Sequence, residues 1–199
     1  MINELTNPVA KNLLNHLRKK ETDALRFRHI VQELSRLLVY EALKNETIEK
    51  RTVTSWQGEE SFGFIKEEEI IFVTILRAGL PMIEAVTALL PNASSGFLAM
   101  KRDENTHQSV LYYDRIPECQ NKTVIIVDPM VATAGSLCDA INLVKNNSPN
   151  MIISLLIIGS PVGLDIVEPK LPDVAASCGP IDINLQESGG LSRGVGVGG

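Results

Sequence analysis

Between residues 7 and 44 the apolar side chains recur at helical spacing: Val9, Leu13, Leu14 and Leu17, then Phe27, Ile30, Val31, Leu34, Leu37 and Leu38. This spacing predicts two amphipathic helices, with Thr22 or Asp23 available to cap the second. Residues 45–68 mix β-branched and polar side chains around Trp56, Gly58 and Gly63, a pattern for a short hairpin or an extended segment with turns. The run Glu67-Glu68-Glu69 reads as a solvated turn. Beyond it the texture changes. Apolar runs at 70–76, 96–100, 123–127 and 151–158 predict buried strands, and helical patterns at 81–90 and 136–145 lie between them. Residues 101–117 break this rhythm with charge and a short apolar run, Val110 to Tyr113, which predicts a protruding hairpin rather than another core strand.

Strands alternating with helices imply an α/β fold with a mainly parallel central sheet covered on both faces. In such a sheet, ligands bind beyond the carboxyl ends of the strands. The chain has 199 residues, 44% of them hydrophobic, which suits one domain. Within it, 1–68 form N-terminal helices and a hairpin, 69–170 a core, 101–117 an arm, and 171–199 a small C-terminal hood whose glycine-rich end forms a loop or tail.

Composition narrows the partners. A formal charge of −5 gives no footprint for a nucleic acid, and the cluster Lys11, Arg18, Lys19, Lys20, Arg26 and Arg28 reads as a solvated helix face. Cys119, Cys138 and Cys178 are odd in number and widely spaced, as expected of reduced thiols. His16, His29 and His107 suggest neither a metal site nor a catalytic pair. The apolar run 151–158 is too short to span a bilayer and the N-terminus lacks a signal-peptide pattern, so the expected location is the cytoplasm, away from membranes.

Chemistry concentrates at 123–136, Thr-Val-Ile-Ile-Val-Asp-Pro-Met-Val-Ala-Thr-Ala-Gly-Ser, where an apolar strand delivers an acid and then small residues before a helix. Backbone N–H groups at that helix start, with the hydroxyls of Thr133 and Ser136, suit a phosphate dianion. Ala132, Ala134 and Gly135 allow close backbone approach, and Asp128 can accept hydrogen bonds from ribose hydroxyls. No Lys follows the glycine, so this is not a Walker loop. A second motif, Ile75-Leu76-Arg77-Ala78-Gly79-Leu80, sets Arg77 beyond another strand end, where its guanidinium could hold a pyrophosphate through paired hydrogen bonds.

The segment Asp128-Pro129-Met130-Val131-Ala132-Thr133-Ala134-Gly135-Ser136 resembles the 5-phosphoribosyl-1-pyrophosphate (PRPP) loop of uracil phosphoribosyltransferases, in which Asp is followed by Pro where most other phosphoribosyltransferases have two acids. Arg77-Ala78-Gly79 is similar to that family's pyrophosphate loop, and the charged segment Lys101 to Thr106 to its mobile arm. The resemblance extends through Arg26-Phe27-Arg28, residues 37–42 and Trp56-Gln57-Gly58. It implies a type I phosphoribosyltransferase fold and the conversion of uracil and PRPP into UMP and pyrophosphate. It further implies PRPP contacts from Arg77, Arg102 and residues 128–136, with Arg77, Arg102 and Asp128 catalytic. Mg²⁺ would be held mainly through PRPP, and the chain would form a homodimer.

The terminus departs from the family pattern. Where that family closes its base site with Gly-Tyr-Ile-Val-Pro-Gly-Leu-Gly-Asp-Ala-Gly-Asp, this chain ends Gly189-Gly190-Leu191-Ser192-Arg193-Gly194-Val195-Gly196-Val197-Gly198-Gly199. In an ungapped register Leu191, Gly196, Val197 and Gly198 take the uracil-contacting positions, and Val197 replaces an aspartate. Valine accepts neither proton nor hydrogen bond. Weak uracil turnover is therefore expected beside intact PRPP binding, and a PRPP-sensing protein is the alternative to the enzyme. Residues 175–180 are also atypical of the buried strand that the family places there.

Overall fold

The computed structural model describes residues 2–102, 109–131, 134–170 and 174–179. A three-residue strand, β1 (Ile2–Glu4), leads into helices α1 (Pro8–Leu17) and α2 (Ala24–Ala42). Each helix begins where a side chain satisfies a first-turn N–H: Asn7 Oδ1 accepts from Val9 at 2.8 Å and Asp23 Oδ1 from Arg26 at 2.7 Å. Their apolar stripes, including Leu14, Leu17, Ile30, Leu34 and Leu38, are buried. Strands β2 (Glu49–Ser55) and β3 (Gly58–Phe64) then form an antiparallel hairpin apart from the main sheet. Its tight turn leaves Trp56 92% exposed and holds Gly58 at φ +117°, a value that favours glycine. Glu67–Glu69 form a 3₁₀ turn.

The remaining elements are β4 (Ile70–Leu76), α3 (Leu80–Leu89), β5 (Ser94–Arg102), β6 (Ser109–Arg115), β7 (Thr123–Val131), α4 (Gly135–Lys145), β8 (Met151–Gly159), α5 (Pro161–Lys170) and β9 (Val174–Cys178). They build a seven-stranded sheet in the order β1-β9-β8-β7-β4-β5-β6, parallel throughout except for the antiparallel β5–β6 pair. Alternating strand residues feed two cores. Phe72, Ile125, Val127, Ile153 and Leu155 pack toward α1, α2 and α3, while Ile71, Val73, Ile126, Ile152 and Leu156 pack toward α4 and Leu164 of α5. Burial on both faces explains why these strands read as unbroken apolar runs.

The predicted α/β class, parallel sheet and helix positions agree with the structure, and several boundaries move. Strand β7 runs on to Val131 because β8 continues to pair with it as far as Gly159, whereas β4 stops pairing at Val127. Pro129 falls in this extension, past the reach of β4, where a strand proline is tolerated. Segment 101–117 pairs as a hairpin, with Lys101 opposite Val110 and Arg102 opposite Ser109, and its second strand, β6, is the antiparallel edge of the main sheet. Apolar spacing does not announce α5, which contains Pro161, Gly163 and Pro169. It forms because Pro161 suits a first helical turn and buried Ser160 accepts from Gly163 N–H at 2.9 Å through its hydroxyl. Residues 174–178, whose composition is unusual for a buried strand, nonetheless form β9, with all but Ala175 buried. The tail after Gly179 lies outside the described residues. All three cysteines are buried and none is disulfide-bonded.

Candidate functional site

Three adjacent parallel strands, β7, β4 and β5, end on one side of the sheet and bring together segments that are far apart in sequence. Thr74 pairs with Val127, and Leu76 pairs with Ala99. Asp128 therefore follows directly on the last β4–β7 pair, Arg77 follows the end of β4, and Arg102 closes β5. The register gathers the acid and both arginine positions at the carboxyl edge of one sheet, where α/β proteins bind ligands.

The loop after β4 is tightly built. The Leu76–Arg77 peptide is cis, Arg77 is exposed, and Gly79 is buried. Gly79 N–H donates to Ile75 O at 3.2 Å, and Leu80 N–H donates to Arg77 O at 3.1 Å. With φ −79°, Gly79 is not required for backbone conformation. It is required for space: a Cβ there would collide with Thr74 Oγ1 and stand 3.1 Å from Val127 O and 3.2 Å from Ile75 O. Thr74, buried within an otherwise apolar strand, donates its hydroxyl to Val127 O at 3.3 Å.

On β7, Asp128 is half-buried by surface exposure, yet its carboxyl is surrounded by protein. That burial pushes its pKa up to about 6, against a smaller opposing effect from Met130 N–H, which donates to Oδ1 at 3.3 Å. Val131 and Ala134 are both buried in the α4-side core, so they anchor the loop on either side of residues 132 and 133. Ala134 adopts φ 58° and ψ 0°, a left-handed conformation costing an alanine roughly 1–2 kcal/mol. Gly135 is exposed, and among the described residues nothing lies within 4 Å of a Cβ built on it.

The helix starts distinguish this edge from the rest of the molecule. Whereas α1 and α2 are capped by Asn7 and Asp23, neither α3 nor α4 has a side-chain cap, and neither has an acid in its first turn. Two helices on opposite faces of the sheet thus begin at the carboxyl ends of the neighbouring strands β4 and β7 without a side-chain cap and without an acid to offset their positive dipole ends. An anion is the natural complement.

Of the residues expected from sequence, Arg77, Ala78 and Gly79 lie in the loop after β4, Asp128, Pro129, Met130 and Val131 form the end of β7, Ala134, Gly135 and Ser136 begin α4, and Arg102 lies at the end of β5. Ala132, Thr133, Leu191, Gly196, Val197 and Gly198 lie outside the described residues. Thr74 is an addition that the sequence reading did not make. Its signal was available, as the single polar side chain in the run Ile70-Ile71-Phe72-Val73-Thr74-Ile75-Leu76.

The fold is that of the type I phosphoribosyltransferases. A hypoxanthine-guanine phosphoribosyltransferase from Bacillus anthracis superposes with a TM-score of 0.51 at 14% identity, over 68% of this chain and 70% of that one, a likeness of fold alone. A solved protein structure from Aquifex aeolicus is far more similar, with a TM-score of 0.92 and 41% identity over 98% of this chain and 94% of that chain. The uracil phosphoribosyltransferase of Aquifex aeolicus is 41% identical over 98% of this chain and 94% of its own length. That of Acinetobacter baylyi is 34% identical over 98% and 93%. A sequence profile described as Uracil phosphoribosyltransferase matches residues 4–199, and the chain belongs to that family. These comparisons lend no support to the sensor alternative.

Two expectations follow from the site. Gly79→Ala should cost about 1–3 kcal/mol of stability by overpacking. Gly135→Ala, with open space around it, should leave the urea midpoint unchanged or raised while weakening binding of a phosphate ligand. Equal stability losses in the two variants would contradict this assignment.

Burial of Asp128 also sets a pH dependence. Its pKa of about 6 lies above the ordinary 3.8, so the native state binds the proton more tightly, and the group's contribution to stability falls as pH rises from about 4 to 6. The loss reaches about 3 kcal/mol in the ligand-free protein above that range. Asp128→Asn should accordingly be more stable than the parent at pH 8 and no more stable at pH 4, as read from urea midpoints. A difference independent of pH would show that carboxylate burial is not its cause.

Proposed function

We propose that this chain is a uracil phosphoribosyltransferase that transfers the 5-phosphoribosyl group of PRPP to uracil, giving UMP and pyrophosphate, a step of pyrimidine salvage. One observation carries the reading: two uncapped helix starts, Asp128 and the Arg77 and Arg102 positions converge on one sheet edge in a chain that matches this family from residue 4 to residue 199.

In this reading the 128–136 loop holds the 5-phosphate through N–H groups at the start of α4 and the hydroxyls of Thr133 and Ser136, and Asp128 accepts from the ribose hydroxyls. Arg77 and Arg102 hold the pyrophosphate. The bond from the anomeric carbon to the pyrophosphate oxygen breaks, N1 of uracil forms the new bond, and the N1 proton is released. Charge develops on the leaving group, so positioned cations lower the barrier, and no covalent nucleophile is needed.

Among the described residues no group of three or more His, Cys, Asp or Glu could hold a metal ion. Mg²⁺ would be carried mainly on PRPP oxygens, with the chain gripping the ligand through Arg77, Arg102 and residues 128–136. When bound, the ion would neutralise pyrophosphate charge.

The same reading treats 1–199 as one domain, with 171–199 as the hood over the base and Leu191, Gly196, Val197 and Gly198 at the uracil. A homodimer is supported by apolar side chains exposed on α1, α2 and β6, among them Val9, Leu25, Tyr40, Val110 and Tyr112. No described helix is long and apolar enough to cross a membrane, and three unbridged cysteines suit the cytoplasm.

Pyrophosphate release should depend on uracil, PRPP and Mg²⁺ together. Arg77→Lys should lower kcat/KM for PRPP by about tenfold or more, because an ammonium cannot reproduce a bidentate guanidinium contact. No uracil-dependent release from the unmodified chain would refute the function, and parental kinetics in Arg77→Lys would remove that arginine from the site.

Val197→Asp should raise kcat with uracil by about tenfold or more, as it restores an acceptor near the reacting base. An unchanged kcat would show that the side chain at 197 is not by itself what limits turnover, and full uracil turnover by the unmodified chain would show that backbone contacts from Gly196 and Gly198 suffice.

A further inference from the structure

Thr74 is fully buried in a strand whose other six residues are apolar, and its hydroxyl reaches Val127 O at 3.3 Å. The same hydroxyl lies against the face of Gly79 where a side chain would stand, beside the carbonyls of Val127 and Ile75. Thus β4, β7 and the loop after β4 meet at one point, one residue before Asp128 and two residues after Arg77. β4–β7 backbone pairing ends here, at Thr74 and Val127. From this level upward β4 stays with β5 and β7 with β8, and the Thr74 hydroxyl joins the two strands through a side chain where their backbones part.

We propose that Thr74 is a positioning residue that fixes the spacing between the Arg77 loop and the Asp128 segment, and through it the grip on PRPP. The proposal rests on the reading of those loops as the PRPP site. Stability gives little reason for a hydroxyl here. A bond of this length recovers little more than the cost of burying the group, and a β-branched apolar residue would suit a strand buried on both faces. Valine has nearly the same shape, but it would set a methyl where the donor now meets Val127 O and Gly79. Wider than the oxygen and unable to donate, that methyl would push Gly79 from the strand end and carry Arg77 with it. Serine keeps the donor and loses only a methyl.

The measurements are steady-state kinetics with each substrate varied and calorimetric titration of Mg²⁺ and PRPP, on the parent protein, Thr74→Ser and Thr74→Val. Thr74→Val should raise KM and Kd for PRPP by about tenfold with KM for uracil nearly unchanged, the scale expected when contact groups shift by a fraction of an ångström. Thr74→Ser should stay within about twofold of the parent. Should Thr74→Val fail to fold, Thr74→Ala, which removes the donor without adding bulk, takes its place with the same expected split. Parental PRPP binding in the folded donor-less variant, or equal rises in both KM values, would overturn the role of Thr74 while leaving the site in place. Failure of the parent protein itself to bind PRPP would overturn the site reading, and this inference with it.

Discussion

Parallel pairing between β4 and β7 is the constraint on which the rest of the site depends. The two strands run side by side from Ile70 and Thr123 to Thr74 and Val127 and then separate. Up to that level the apolar side chains of both strands are committed to one of two cores. Beyond it, β4 turns into the Arg77 loop while β7 continues against β8 alone. The two strands part at the carboxyl edge without breaking the sheet, because β8 still satisfies the backbone of β7. Asp128 stands at the first position past the split, at the carboxyl edge of the sheet.

The elements around this edge are less than fully stabilised. Both helices leading away from it start without a side-chain cap, Asp128 carries a carboxyl that burial makes harder to ionise, and Ala134 holds a left-handed backbone conformation. Each feature withholds a small amount of stability from the ligand-free protein. They are supported by the packing behind them, since Val131, Ala134 and Leu137 are buried in the α4-side core. Stability concentrated in the sheet allows an unsatisfied edge, as expected where binding and stability compete.

The glycines near the site divide by the same logic. Gly79 is there because the strand ends leave no room for a side chain, and Gly135 has open space around it. A sequence shows two glycines after two strands and cannot tell them apart, since the difference lies in what approaches each from elsewhere in the chain.

Much of this protein is local and therefore legible in the sequence. The apolar stripes of α1 and α2, the cap at Asp23, the unbroken apolar runs of β4 and β8 and the small-residue loop before α4 each reflect forces acting within a few residues. The resemblance in residues 128–136 identified the family because that loop carries its chemistry in consecutive positions. Other features needed distant partners. The continuation of β7 to Val131 depends on β8, the place of β6 in the sheet depends on β5, and α5 forms despite its prolines and glycine through Ser160 and the packing of Leu164. The raised pKa of Asp128 and the meeting of Thr74, Val127 and Gly79 likewise come from burial and strand register. Sequence determined most of the strands and helices and the small-residue segments between them, because periodicity and loop composition are written residue by residue. Tertiary structure alone decided which strand ends stand side by side, because register and burial are properties of pairs of segments that the chain brings together only on folding.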